Sequence, residues 1–254
     1  MRAREWHCGP FDFDLATPLV MGICNVTPDS FSDGGMHATA SEALEHAKKL
    51  IAAGADIIDV GGESTRPGAE EVPPEVEIAR VLPVVRELAS HGVAVSVDTR
   101  HASVAEACVD AGACIVNDVS GFRSADMREV AARGDAGLVV MHMRGTPKTM
   151  QEAPAYDDVV HEVEQEMMRM VTRLTTEGVE PGRICLDVGI GFGKNVMHNL
   201  ALVQATAHFA ELGFPLMAAV SRKSFIGAMS AESIPVMRDR ASALCAAFMV
   251  DQGA

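Results

Sequence analysis

The segment GVAVSVDTRHASVAEACVDAGACIVNDVSG, residues 92–121, contains the unit on which the fold is built. Its apolar runs at 93–97 and 114–116 have the length of buried strands, and a helical stretch lies between them. A glycine precedes each run, where a left-handed residue commonly ends a helix. A polar residue follows each run. The segment therefore predicts two parallel strands joined by a helix.

The same unit recurs along the chain of 254 residues. Apolar runs of strand length occur at 19–24, 56–60, 93–97, 114–116, 138–141, 184–186 and 216–220. Seven or more such units favour a closed barrel, and no GxGxxG motif follows the first run to support the alternative, an open doubly wound sheet. We predict an α/β fold, a TIM-type (β/α)8 barrel, in a single domain over 1–254 with a short N-terminal extension at 1–17.

The rhythm of strand and helix stops before its eighth unit. The last helical stretch, about 240–252, is followed by Gly253 in the position that ends a helix and then by Ala254. We therefore expect the barrel to lack its eighth strand and final helix.

Composition excludes several classes of function. The chain has 21 basic and 35 acidic side chains and a net charge of -14, which argues against nucleic acid or an anionic membrane as partner. It shows no signal-peptide layout and no apolar run of spanning length, so we expect a cytoplasmic protein. The six cysteines are scattered without metal-ligand spacing and are expected to be reduced.

Polar residues follow nearly every apolar run, at the strand ends where barrels of this kind carry their chemistry. They are Asn25, Asp59, Asp98, Asn117 with Asp118, His142, Asp187, and Arg222 with Lys223. Any one of them could simply be a soluble strand end. Solubility does not readily explain the whole set, because charged groups at a barrel mouth are costly unless a partner group or a ligand pairs with them. We interpret the set as a ligand site.

Three glycine-rich loops narrow the class of ligand. NVTPDSFSDGG at 25–35 and GGESTRPG at 61–68 can present backbone N–H groups to an anion, and Arg66 adds a cation that suits phosphate or pyrophosphate. GIGFGK at 189–194 places Phe192 and Lys194 beside Asp187. An aromatic ring next to a carboxylate suits a planar heteroaromatic ligand.

Seven motifs occur in the order of one family: NVTPDSFSDGG, GADIIDVGGESTRPGA, SVDT, NDVSG, MHMRGTPKTMQ, GIGFGK and SRKSFIG. From about Pro18 to Ala254 the chain resembles bacterial dihydropteroate synthase, a family of pterin-binding barrels. The resemblance implies condensation of 6-hydroxymethyl-7,8-dihydropterin pyrophosphate with p-aminobenzoate in folate synthesis. It also implies Mg²⁺ as cofactor, sulfonamides as inhibitors and a homodimer.

The resemblance also implies roles for individual residues. Asn25 would bind Mg²⁺, Thr65 and Arg66 would face pyrophosphate and p-aminobenzoate, and Pro67 would wall the latter. The pterin-binding set would be Asp98, Asn117, Asp187 and Lys223, with Met141 as the apolar wall. Phe31, Phe192 and Ser224 would line the p-aminobenzoate pocket. Asn25, Arg66, Asp98, Asp187 and Lys223 are the expected catalytic residues.

Two departures keep alternatives open. The family's Asp-Pro-Gly reads Asp187-Val188-Gly189 here, and its last strand, which carries an Arg-x-His motif, has no counterpart. A truncated or non-catalytic pterin-binding chain is therefore one alternative. An aldolase-type barrel with Lys223 as Schiff base and a pterin-dependent methyltransferase are two others.

Overall fold

The computed structural model describes residues 3–27, 36–64 and 70–254. Their centre is a parallel sheet in which each strand pairs with the next one along the chain. Its strands are β3 (Met21–Asn25), β4 (Ile57–Gly61), β5 (Ala94–Asp98), β6 (Ile115–Asp118), β7 (Gly137–Met141) and β8 (Ile184–Asp187). The first six predicted strands are thus confirmed, each within three residues of the expected bounds.

Helices connect the strands and cover the outside of the sheet. They are α1 (Met36–Ala52), α2 (Pro74–Ser90), α3 (Ala102–Asp110), α4 (Ala125–Arg133), α5 (Val159–Thr176), α6 (Val196–Gln204), α7 (Thr206–Ala210), α8 (Ser224–Ser230) and α9 (Asp239–Asp251), with short 3₁₀ turns at Pro181–Arg183 and Pro235–Arg238. Among the described residues, no helix is both long and apolar enough to cross a membrane. The alternation of strand and helix is that of a TIM-type barrel.

The seventh predicted strand, at 216–220, is reduced to a single parallel bridge between Leu186 and Leu216. Leu186 N donates to Pro215 O over 2.8 Å, and Met217 N donates to Leu186 O over 2.8 Å. The ladder ends there because the next amides serve in turns: Val220 N donates to Ala218 O over 3.1 Å. The prediction of a full strand was therefore wrong in length, although the segment lies where the seventh strand belongs.

The sheet has an open edge at β3. In the part of the chain that the structure describes, β3 pairs with β4 alone and no eighth parallel strand is present. Ile23, in the middle of β3, is consequently 51% exposed. Within the described residues the parallel sheet therefore runs from β3 to β8.

Glycines end the helices as predicted. Gly54, Gly92, Gly112, Gly178, Gly213 and Gly253 all have a positive φ. At the last of these, Gly253 N donates to Val250 O and Ala254 N to Met249 O, so the paired bonds satisfy carbonyls at the end of α9.

The N-terminal extension forms an antiparallel ribbon, β1 (Glu5–Cys8) and β2 (Phe11–Asp14), that the sequence did not predict. Trp6 is 3% exposed and its indole N–H donates to Arg183 O over 2.8 Å. Its ring belongs to one apolar cluster with side chains from five parallel strands: Ile57, Ala94, Ile115, Val139 and Cys185. The ribbon therefore closes the end of the barrel opposite the polar strand ends.

Trp6→Ala should strongly destabilise the fold, because it removes the side chain that fills this end of the barrel. We expect a loss of about 3–5 kcal/mol in the free energy of unfolding, measured by urea denaturation. Phe11→Ala, on the half-buried face of the same ribbon, is the control and should cost less. Equal effects of the two changes would contradict the role given to Trp6.

Candidate functional site

Strand pairing sets four strand ends in one row across the sheet. Asn25 pairs with Gly61, Gly61 with Asp98, and Asp98 with Asn117. A Cβ atom placed on Gly61 would lie 3.5 Å from Asn25 Oδ1 and 3.5 Å from Asp98 Oδ2. An amide oxygen and a carboxylate oxygen thus flank one small space at the barrel mouth.

Asp98 is only weakly compensated in this row. Its Oδ1 is inaccessible and has no hydrogen-bond partner among the described residues. Burial raises the pKa of Asp98 well above its ordinary value, and the nearby carboxyl groups of Asp59 and Glu77 raise it further. A ligand that donates an N–H group to Asp98 would relieve this cost.

Asp59 lies on β4, two residues before Gly61, and is therefore deeper in the barrel than this row. It is 6% exposed, and Asn117 Nδ2 donates to its Oδ2 over 3.2 Å. Burial raises the pKa of Asp59. The bond orients the Asn117 amide, which is half-buried and keeps its oxygen for another partner.

Asp187 ends β8 and is 5% exposed. Gly189 N donates to its Oδ1 over 2.8 Å. Burial raises the pKa of Asp187, although the charge of Lys223 opposes the shift. Burial likewise lowers the pKa of Lys223, against the attraction of Asp187 and Asp98. Lys223 is therefore the cation shared by the two predicted pterin-binding carboxylates.

The 189–194 loop is rigidly held over the barrel mouth. Gly189 has φ +67° and a Cβ there would lie 1.8 Å from His142 O, so no other residue fits. Asn199 Oδ1 accepts from Gly191 N over 2.7 Å, and Gln151 Nε2 donates to Gly191 O over 2.8 Å. The loop thereby sets the Phe192 ring beside Lys223.

The contact between Phe192 and Lys223 is a cation–π pair, with Nζ 4.2 Å from the ring centroid. Phe192 also packs against an apolar cluster formed by Val119, Met141, Met143 and Met150. Met141 is 2% exposed. A flat apolar wall therefore adjoins the charged groups at the mouth.

Lys194 is buried beneath the same loop and is only 2% exposed. Its ammonium donates to Gly189 O and Phe192 O, each over 2.9 Å, and contacts His142 Nδ1 at 3.0 Å. Burial lowers the pKa of Lys194 to about 7. Lys194 thus supports the loop from below rather than facing solvent.

His142 continues this network and has a structural role. The ionised carboxylate of Glu166 can only accept, so His142 Nε2–H donates to Glu166 Oε2 over 2.9 Å and Nδ1 of the neutral ring accepts from Lys194. Arg144 holds the other oxygen of Glu166 through a bond from Nε of 3.0 Å. Each polar atom of the imidazole is therefore paired.

The remaining predicted residues divide into two groups. Ser224 is exposed at the first position of α8, directly after Lys223. Phe31, Thr65, Arg66 and Pro67 lie outside the described residues, so their roles stay predictions.

One group of titratable side chains was missed by the sequence analysis. Ligand atoms of Glu63, Glu77 and His101 all lie within 4.8 Å of one another. The three residues come from the loop after β4, from α2 and from the start of α3. No spacing rule could have united residues from three separate elements.

The chain is similar to known proteins over nearly its whole length. A family model described as pterin binding enzyme matches residues 21–254. The dihydropteroate synthase of Neisseria meningitidis serogroup B is 45% identical over 260 residues, which cover 100% of this chain and 91% of the relative. That of Escherichia coli K12 is 46% identical over 242 residues, 95% of this chain and 86% of the relative.

Solved structures agree with these relatives. Xanthomonas albilineans dihydropteroate synthase with 4-aminobenzoic acid has a TM-score of 0.93 and 39% identity, over 99% of this chain and 90% of the other. The Burkholderia cenocepacia enzyme complexed with 7,8-dihydropteroate has a TM-score of 0.88 and 39% identity, over 100% of this chain and 90% of the other.

His142 should remain neutral well below the ordinary histidine range, because burial lowers its pKa from 6.5 to about 4. Between these values the unfolded chain binds more protons, so this contribution to stability is complete above about pH 6.5 and is lost as the pH falls toward 4. Imidazole NMR titration measures the pKa, and His142→Gln identifies the resonance. A midpoint above pH 6 would contradict the buried network.

Proposed function

Because this chain belongs to the dihydropteroate synthase family of pterin-binding enzymes, we propose that it joins 6-hydroxymethyl-7,8-dihydropterin pyrophosphate to p-aminobenzoate and releases pyrophosphate. The observation that carries the proposal is the buried carboxylate of Asp187, fixed by Gly189 N at the barrel mouth that also holds the cation–π pair of Lys223 and Phe192. These are the groups that a flat, N–H-rich heterocycle requires.

In the proposed complex, side chains at the strand ends form hydrogen bonds with the edges of the pterin. The 2-amino group and the adjacent ring N–H would donate to Asp187, which has one oxygen fixed by Gly189 N. Asn117 both donates and accepts and would read a neighbouring edge, and Lys223 would donate to the ring carbonyl or a ring nitrogen. Met141 would pack under the ring.

The charges of the site suit the bond changes of the transfer. The bond between the pterin methylene carbon and the pyrophosphate oxygen breaks with its electron pair on pyrophosphate, so positive charge develops on the pterin. Asp98 and Asp187 would stabilise that charge. The amine of p-aminobenzoate then forms the new C–N bond, and the proton that it loses passes to water or to the released pyrophosphate, so no general base is needed to activate it.

The second substrate would lie on the outer side of the pterin. Phe192, held at the mouth by its loop, and Ser224, exposed beside Lys223, would line this pocket. Phe31, Thr65 and Pro67 are assigned to it from their sequence positions. The Xanthomonas albilineans relative is described with 4-aminobenzoic acid.

The residues present fit a Mg²⁺ ion at the Asn25 end of the row. Asn25 Oδ1 and Asp98 Oδ2 flank the space that a Cβ on Gly61 would fill, and amide and carboxylate oxygens are ligands that this ion prefers. Asn25 would hold it, with Arg66 as a second positive group. When bound, the ion would neutralise negative charge on pyrophosphate.

Pyrophosphate release from the pterin substrate, measured with and without p-aminobenzoate, tests the proposed reaction. We expect release with both substrates. Pterin binding without release would instead support a non-catalytic pterin-binding chain. Borohydride trapping of a carbonyl substrate on Lys223 would support the aldolase alternative.

Asp187→Asn and Lys223→Ala should weaken pterin binding, because each removes a charge-assisted hydrogen bond to the ring. Such bonds contribute about 1.5–3 kcal/mol, or roughly 10- to 150-fold in Kd, measurable by isothermal titration calorimetry. The controls Asp110→Asn and Lys49→Ala change exposed residues of the same types and should leave Kd unchanged. Unaltered affinity in both site variants would contradict the assignment.

We propose that the protein is a cytoplasmic homodimer. Support for the dimer comes from α9, where Leu244 is 68% and Phe248 44% exposed on one face, four residues apart. Apolar side chains exposed together in this way are typical of interfaces.

Leu244→Glu combined with Phe248→Glu should convert the dimer to a monomer, because two charges would be buried in the proposed interface. Light scattering after size-exclusion chromatography gives the mass directly. Ile51→Glu, on α1, is the control and should leave the mass unchanged. A monomeric wild-type chain would contradict the proposed dimer.

A further inference from the structure

Glu77 is an unusual carboxyl group for a buried position. It is 0% exposed, and neither Oε1 nor Oε2 has a hydrogen-bond partner among the described residues. Nε2 of the neighbouring His101 is likewise inaccessible and unpartnered there. Leaving such groups unpaired is costly, so the arrangement points to a missing partner.

The three acceptor groups face one another. His101 Nε2 lies 3.9 Å from Glu63 Oε2 and 3.9 Å from Glu77 Oε2. Ligands about 2.1 Å from a tetrahedral zinc ion are roughly 3.4 Å apart. The two His101 distances exceed this spacing by about half an ångström, and all three ligand atoms lie within 4.8 Å of one another, so small side-chain movements would bring them around one ion.

The surroundings hold these side chains in place. A Cβ on Gly62 would lie 2.8 Å from Val81 Cγ1 and 2.9 Å from Glu77 Cγ, so the glycine lets α2 bring Glu77 against the end of β4. Arg100 binds both oxygens of Glu63, over 2.8 and 3.0 Å. Such outer hydrogen bonds orient metal ligands in known sites.

We propose that Glu63, Glu77 and His101 bind a divalent transition-metal ion of the zinc class. The imidazole favours zinc over magnesium, whose sites consist of oxygen ligands alone. The site is separate from Asn25 and goes beyond the proposed function.

The local charge favours a cation. Arg100 pairs closely with Glu63, whereas the ion-pair contact recorded for Glu77 among the described residues is the longer one to His101, at 3.9 Å.

Zinc binding to the purified full chain, stripped with a chelator, tests this site. We expect one Zn²⁺ per chain by equilibrium dialysis and a rise in Tm on zinc addition. Glu77→Gln and His101→Ala should each weaken zinc binding at least about tenfold. The matched control His91→Ala removes an exposed histidine and should bind zinc as the wild type does.

Circular dichroism confirms that each variant is folded. Absence of stoichiometric zinc in the wild type would overturn the proposal whatever the variants do. Unchanged zinc affinity in both folded variants would overturn it as well, because the ion would then lie elsewhere. Displacement of zinc by an equal concentration of Mg²⁺ would contradict the assigned metal class.

Discussion

Burial of carboxyl groups at the carboxyl end of the parallel sheet is the constraint on which the site depends. Asp59, Asp98 and Asp187 all have raised pKa values, and burial is the leading cause in each case. Of these, Asp98 and Asp187 attract the half-buried Lys223. Burying these carboxyl groups is electrostatically costly, and a ligand rich in N–H donors would offset that cost. A fold that tolerates such a cost is typical of a binding site.

The rest of the molecule holds these carboxyl groups in place. At one end of the barrel the Trp6 ribbon fills the interior, so the strands are packed below the polar layer. At the other end Lys194 and His142 fix the 189–194 loop from beneath. Both supports use buried hydrogen bonds rather than exposed ion pairs. The geometry of Asp187 and Phe192 is therefore set before any ligand arrives, which lowers the entropic cost of binding.

Much of this could be predicted because the signals are local. A buried strand needs a continuous apolar run, a helix end needs a residue with positive φ, and a parallel strand ends in a polar group; 93–97, Gly112 and Asp98 each show one of these. The ribbon at Glu5–Asp14 was missed because its strands are four residues long and are stabilised by the barrel end they cover. The seventh strand was overestimated because apolar content at 216–220 does not reveal that Val220 enters a turn.

Burial that depends on tertiary packing was harder to foresee. Lys194 follows a glycine loop and could equally have been solvated, but the loop folds over it. Glu63, Glu77 and His101 belong to three elements and meet only because Gly62 allows α2 to approach. Hydrophobic periodicity and sequence motifs each describe one helix, strand or loop at a time, so contacts between separate elements are visible only in the structure.

A crystal structure of the chain with 7,8-dihydropterin bound would test the central claim most directly. We expect Asp187 to accept from the 2-amino edge at about 2.9 Å, with Lys223 in contact with the ring and Met141 beneath it. A pterin bound away from the barrel mouth, with the Asp187 carboxylate still accepting from Gly189 alone, would contradict it.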